Sequence, residues 1–414
     1  MKKIFLIILV GLSYPAYGQT LSFEELQKTA LAENPRIKAM ESETQMMRKR
    51  IPQSNALEDP KLKLGVNNLP VSSFSFTEED MTSKEIGISQ MIPLGKLGYR
   101  KSIAEKEYEK AAARLKAEKV ETLYMLRMYI YEIIYTRSSI QFIEDIKKQI
   151  KLVVDSEIAA SKSGMGSLSN VIKAKTEYDM ADEEIISMIQ KRKEFEQKIN
   201  YLTGKKVEIN IDKLPEPDFK DISVEAVNKE IAVSNPQLKM LLIDTEISRN
   251  EISLKKSEYI PDVDIGVSYM QRQNSPDGMK RDDMVTGMIT FNIPVWSWKK
   301  NMNMVDEMGK KHESAKNIYQ DKLNDMKART EILISQLVKW KDLYKLYKDK
   351  LIPQTELGLE TTLSRYRTSS VEFMPVIDSV RMLLRYRKEL LMAKKEYSVS
   401  YSELHALLGQ EILP

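Results

Sequence analysis

Two hydrophobic periods take turns along this chain. Val263, Ile265, Val267 and Tyr269 alternate with Asp264, Gly266 and Ser268, and Val285, Ile289, Phe291 and Ile293 alternate with Thr286, Thr290 and Asn292. A period of two predicts strands with one apolar face. Leu62, Leu64 and Val66 against Lys61, Lys63 and Gly65 repeat the pattern, and Ile86, Ile88 and Ile92 do so more weakly. Elsewhere the period lengthens. Val376, Val380, Leu383, Leu390, Tyr397, Tyr401, Leu404 and Leu408 recur at threes, fours and sevens, the spacing of a coiled-coil-like seam. Between Gly98 and Gly164 no glycine or proline intervenes, which allows a helix of up to 65 residues, or about 97 Å at ~1.5 Å per residue. That is far longer than a globular core requires.

The periods come in duplicate. At an offset of 201, Ser22 falls on Ser223, Glu24 on Glu225, Asn34 on Asn235, Pro35 on Pro236, Pro60 on Pro261, Gly65 on Gly266 and Pro93 on Pro294. Further on the offset is 205, pairing Val171 with Val376, Ile172 with Ile377, Leu202 with Leu407 and Gly204 with Gly409. The expected organisation is a first repeat over 19–204, a linker over 205–222 and a second repeat over 223–414. Each repeat predicts a capped short helix ended by Asn-Pro, a second helix to about residue 57 or 258, and a strand pair near 61–92 or 262–293. A long helical hairpin follows, over 99–203 in the first repeat and 298–408 in the second. Polar loops, Pro70 to Ser83 and Gln271 to Asp282, join the paired strands, and Gly164-Met165-Gly166 marks the tip of the first hairpin.

Composition narrows the class. Lys2 and Lys3, the apolar run Ile4 to Leu12 and Ala16-Tyr17-Gly18 have the layout of a cleaved secretory signal over residues 1–18. No later stretch approaches the roughly 18 consecutive apolar residues of a membrane-spanning helix. The chain has no cysteine, so it has no disulfides, no thiolate metal site and no cysteine to carry a lipid. A formal net charge of +4, about +2 without Lys2 and Lys3, is far from the basic excess of a nucleic-acid binder.

Four strands with one apolar face match the alternating pattern of outer-membrane barrels, yet four cannot close a barrel. Lipid offers no hydrogen bonds to an open sheet edge, so the strands must be shared among copies, and three copies give 4 × 3 = 12 strands. The expected fold class is therefore mainly α with a small β part. Long helical hairpins form an α-barrel, and four strands per protomer enter a 12-stranded trimeric transmembrane β-barrel. Pro60 and Pro261 before the outgoing strands, and Pro93 and Pro294 after the returning ones, suit the junctions where barrel becomes helix.

Leu21-Ser22-Phe23 with Ala32-Glu33-Asn34-Pro35, then Ser89-Gln90-Met91-Ile92-Pro93-Leu94-Gly95-Lys96, and the closing run from Val376-Ile377-Asp378 to Leu407-Leu408-Gly409 resemble the TolC-like outer membrane factors. The likeness extends over both repeats. It implies a homotrimer set in outer-membrane lipid, reaching into the periplasm and docked to a periplasmic adaptor and an inner-membrane transporter of the resistance-nodulation-division type. Such a protein is a passive exit duct of a tripartite efflux pump, with no cofactor and no enzymatic step. Its cargo class stays open between heavy-metal cations, drugs and a type I protein export substrate. A periplasmic coiled-coil adaptor or scaffold is the alternative of another class, although that would need a lipoyl-like β-module around a single hairpin.

The resemblance also assigns positions. The hairpin tips, Gly164, Gly166 and Leu168 in the first repeat and Ser370 and Phe373 in the second, are the expected adaptor contacts. Asp378 matches a place that holds an acidic ring near the closed periplasmic end, and Lys173 is its counterpart in the first repeat (378 − 205 = 173). Pro375 stands where the family often has a second aspartate. His312 and His405 lack spaced ligand partners and read as structural, and no nucleophile motif is present. The 23 methionines, with Met284 and Met288 on one strand face and Met302, Met304 and Met308 together, suit irregular helix packing, and thioether sulfur also suits copper(I) or silver.

Overall fold

The computed structural model describes residues 20–164, 166–209, 211, 213–214, 216–293, 298–368 and 372–411. The expected signal segment, 1–18, lies outside them. In chain order the elements are β1 (Thr20–Leu21), α1 (Phe23–Glu33), α2 (Pro35–Ser54), β2 (Lys61–Asn67), β3 (Ser83–Ile92), α3 (Leu97–Lys162), α4 (Leu168–Thr203) and β4 (Glu208–Ile209). Then come α5 (Val224–Ser234), α6 (Pro236–Ser257), β5 (Val263–Arg272), β6 (Met284–Phe291), α7 (Trp298–Leu346), a π-helical turn (Tyr347–Leu351), α8 (Ile352–Arg367) and α9 (Phe373–Leu407). The order helix, helix, strand, strand, long hairpin thus occurs twice.

Local chemistry sets the boundaries. Ser22 opens α1 with a capping box: its hydroxyl accepts from the Glu25 amide at 3.3 Å, and Glu25 accepts from the Ser22 amide at 2.8 Å. Asn235 caps α6, its side-chain oxygen accepting from the amides of Gln237 and Leu238. The third long helix departs from expectation. A run continuous from Trp298 to Arg365 is predicted, but Pro353 has no N–H for the Asp349 carbonyl, and the chain widens into the π turn just before it. There the Ile352 amide donates to the Tyr347 carbonyl, five residues back.

The described residues form two compact units that cut across the repeats. One comprises Ala39–Ala117 and Ala232–Met326. It holds an antiparallel sheet of order β2-β3-β5-β6, in register Leu64 with Ile86, Ile86 with Tyr269 and Tyr269 with Val285. Ala113, Ile243 and Ile247 bring α3 and α6 together in this unit, flanked by ion pairs Lys110–Asp244 at 2.6 Å and Lys106–Glu246 at 2.9 Å.

The other unit comprises the described parts of Met1–Lys38, Glu118–Ile231 and Lys327–Pro414. Its larger cluster packs Leu26 and Ala30 of α1 on Leu126, Ile130, Ile133 and Ile134 of α3 and on Ile199 and Leu202 of α4. The parallel pair β1-β4 ties the chain start to the segment after α4. A second cluster gathers Ile146, Ile150, Val153 and Val154 of α3, Ala174 of α4, and Phe373, Val376, Ile377 and Val380 of α9. Lys395, almost fully buried, bonds Glu132 at 2.6 Å and Glu396 at 2.9 Å. Burial pushes its pKa down, and the hydrogen bonds to the two carboxylates outweigh that and leave it raised.

Candidate channel surfaces

Cross-strand pairing sorts the sheet side chains onto two faces. Leu62, Leu64, Ile86, Ile88, Ile265, Val267, Val285 and Ile289 share one face, because each stands opposite another of the set or in phase with it. This apolar face is the open one, with Ile88 at 55% and Val285 at 72% exposure. The opposite face carries Lys63, Asn67, Glu85, Ser89, Asp264, Ser268, Thr286 and Thr290, and there Ser83 and Glu85 are buried. Glu85 accepts from Lys63 at 3.0 Å and from Asn67 at 2.8 Å. Gly87 lies so close to β5 that a Cβ on it would come within 2.8 Å of the Ser268 Cβ, which only glycine permits. Along β3 the usual distribution is inverted, with Ile86 and Ile88 exposed and Ser83 and Glu85 buried.

Among the described residues no strand pairs with the outer edges of β2 and β6. Pro60 precedes β2, Pro93 follows β3 and Pro261 stands between α6 and β5, while Pro294 lies outside the described residues. Lys96 and Asp262 form an ion pair at 2.6 Å beside Pro93 and Pro261 and tie the two junctions together. The loops joining the paired strands are also tied. Arg281 pairs with Asp80 at 2.5 Å and donates to the carbonyls of Thr77 and Glu79.

At the first hairpin tip, Gly164 has φ +76° and Leu168 is 67% exposed. Gly166 is held for packing, since a Cβ there would lie 2.9 Å from the Ala160 Cβ and the Ser161 backbone nitrogen. At the second tip Ser370 lies outside the described residues. Phe373, an expected adaptor contact, is 1% exposed, the largest fully buried side chain among the described residues, in a cluster with Val153, Val154 and Val376. An aromatic at the first turn of α9 buries more apolar surface than any neighbour and is drawn into the core. Only a tertiary arrangement reveals that.

Asp378 sits in the second turn of α9, 62% exposed on its side chain, 3.6 Å from Arg381. Arg381 in turn forms a bidentate pair with Glu177 of α4. Lys173 is exposed on α4, and within the chain it forms no ion pair with Asp378. Arg381 and Glu177 are the partners that sequence reasoning missed. The Asp378 to Arg381 spacing of three was visible, but Glu177 joins them only through the packing of α4 on α9.

His312 Nδ1 meets Ser248 Oγ at 2.9 Å and the Thr245 carbonyl at 3.1 Å. His405 Nδ1 meets Gln410 Oε1 at 2.7 Å and packs edge-on to Tyr401. Burial lowers the His405 pKa. Met91, Met270, Met284 and Met288 all stand on the polar face of the sheet, with Met270 directly opposite Met284. No described helix is long and apolar enough to cross a membrane.

Two features stand out for comparison with known proteins: the duplicated long helical hairpin and a four-stranded sheet with one exposed apolar face. Residues 26–205, the first of the two repeats, match the outer membrane efflux protein family. Over 99% of its length the chain is 19% identical to outer membrane protein TolC of Vibrio cholerae serotype O1, covering 96% of that protein. Its fold is that of the crystal structure of VceC from Vibrio cholerae, with TM-score 0.78, 13% identity and coverage of 94% of this chain and 96% of that one. The crystal structure of CusC, studied for folding and transmembrane channel formation, gives TM-score 0.77, 13% identity and coverage of 96% and 95%.

Proposed function

We propose that this chain is one protomer of a homotrimeric exit duct, a passive channel for cargo handed over by a periplasmic adaptor and an inner-membrane transporter. The carrying observation is the sheet: an exposed apolar face, a polar face and two edges that no strand pairs among the described residues. In lipid each unsatisfied backbone group costs several kcal/mol, so β2 of one copy pairs with β6 of the next, and three copies close 4 × 3 = 12 strands. The absence of native cysteine makes the test clean. Leu64→Cys combined in turn with each β6 position from 284 to 291 should give a covalent trimer for the facing pair only. Monomer or dimer throughout the scan would end the reading.

Two further assignments follow from this duct. The hairpin tips around Gly164 to Leu168 and Thr368 to Phe373 face the adaptor, with Leu168 as the exposed side chain that makes contact. Three copies of Asp378 form an acidic ring at the constriction, whose field favours cations, and Arg381 neutralises part of it. Lys173 of a neighbouring copy is a second candidate counter-charge. A reading with thiophilic metal cations as cargo draws on the four methionines of the polar sheet face, since soft thioether sulfur suits copper(I) or silver. Replacing Met91, Met270, Met284 and Met288 by leucine should lower silver tolerance while leaving drug tolerance unchanged; equal tolerance would remove the metal reading.

A further inference from the structure

Within the unit that holds α1, β4 and α9, a cavity of about 530 Å³ opens between α3, α9 and the segment after β4. Phe23, Ile130, Ile134, Tyr397 and Tyr401 give it apolar and aromatic walls. Arg127 lines the same cavity and is only 5% exposed. With its amide oxygen turned to the guanidinium, Gln27 accepts from Arg127 Nη2 at 2.9 Å and Nε at 3.1 Å. The Phe23 ring lies 5.9 Å from the guanidinium carbon. Both partners are neutral. The two carboxylates of the cavity are engaged elsewhere, Glu216 with Lys394 at 2.6 Å and Tyr344 at 2.9 Å, and Asp218 with Lys220 at 2.9 Å. Among the described residues Arg127 has no ion pair, and burial lowers its pKa.

A buried guanidinium without a counter-charge is costly, because desolvation is not offset by attraction. Of its five N–H donors, Gln27 engages only two. A planar carboxylate is the group that answers both deficits, supplying charge and two acceptors in the geometry of the fork. The walls set the rest of the ligand. The volume lies within the usual range for small-molecule sites, and the rings of Phe23, Tyr397 and Tyr401 suit a flat apolar body.

We propose that this cavity is a binding site for a small amphipathic carboxylate, an aromatic or short alkyl monoacid, with its carboxylate on Arg127 and its apolar body between α3 and α9. Ser398 and Ser402 line the same wall, their hydroxyls donating to the carbonyls of Lys394 and Ser398 one turn back, so the charge on the ligand falls to Arg127. The site is independent of what the duct carries, and it requires no chemical step.

The test uses the full mature protein in lipid nanodiscs at pH 7.5, with a fluorinated cinnamate and the matching cinnamamide as probes followed by fluorine NMR. Empty nanodiscs measure the background partition into lipid. Saturable binding of the acid is expected, with the neutral amide at least about tenfold weaker, the ratio that one charge-assisted hydrogen bond provides. Arg127→Met should erase the preference for the acid. Ser398→Phe, which fills the cavity and keeps the cation, should abolish binding of both probes. Oligomeric migration of each variant reports its fold. The proposal fails if the wild type shows no saturable binding, as when a carboxylate of a neighbouring copy already occupies the cavity. It also fails if acid and amide bind alike, or if Arg127→Met binds the acid as the wild type does.

Discussion

The sheet and the cluster around Phe373 use the same kinds of side chain in opposite ways. In the cluster, Val376, Ile377 and Val380 are turned inward against α3 and α4 and have lost essentially all contact with the surroundings. On the sheet, Ile86, Ile88, Val267 and Ile289 are exposed, while Ser83 and Glu85 of the opposite face are buried. One rule covers both: apolar surface goes where water is not. The helices make their own water-free region by packing, whereas under the proposed barrel the sheet borrows one from lipid. Exposure of an isoleucine therefore means opposite things in the two places.

The contrast can be broken most forcefully in the packed cluster. Phe373→Ala leaves a cavity among Val153, Val154 and Val376 and should cost about 3–5 kcal/mol. Urea unfolding of the reconstituted protein measures it, and a loss below about 1 kcal/mol would mean that the ring is not packed as described. Next comes the sheet. Ile88→Arg places a charge on the apolar face and should cost about 2–4 kcal/mol in folding into vesicles, whereas Thr286→Arg on the polar face should cost little. Equal costs would show that the two faces are not distinguished by lipid. At the first hairpin tip, Leu168→Glu should change stability by no more than about 0.5 kcal/mol while lowering efflux in cells. Efflux at the wild-type level would remove Leu168 from the adaptor contact. The smallest effect is expected at Asp378. Asp378→Asn should weaken and Asp378→Arg reverse the cation selectivity of single channels in planar bilayers, with the trimer unchanged. Wild-type selectivity in both variants would place this carboxylate away from the constriction.

Much of the fold was legible because long-range order here follows from short-range pattern. A period of two over 263–269 suffices to predict a strand, and the absence of glycine and proline from 99 to 163 predicts α3 nearly to its ends. Duplication doubled each signal. Features that depend on which elements meet were hidden. That Phe373 packs in one cluster with Val153, and that Ala160 stands against Gly166, emerges only once the helices are seen together. Arg381 could be paired with Asp378 from spacing alone, while Glu177 could not. The Arg127 cavity left no mark on the sequence, since its walls come from four separate stretches of chain.

The π turn before Pro353 carries a record of length. The repeat offset rises from 201 to 205, so the stretch between Pro294 and Val376 is four residues longer than its counterpart between Pro93 and Val171. The helical run Trp298 to Arg367 exceeds Leu97–Lys162 by the same four residues. Four residues overshoot a turn of ~3.6 by about 0.4 residue, or roughly 40° of rotation. In a straight helix that surplus would turn every later side chain away from its intended neighbour. A wider turn takes up the excess locally, like a leap day in a calendar, and Leu359, Leu363 and Tyr366 of α8 come round in phase to meet α9.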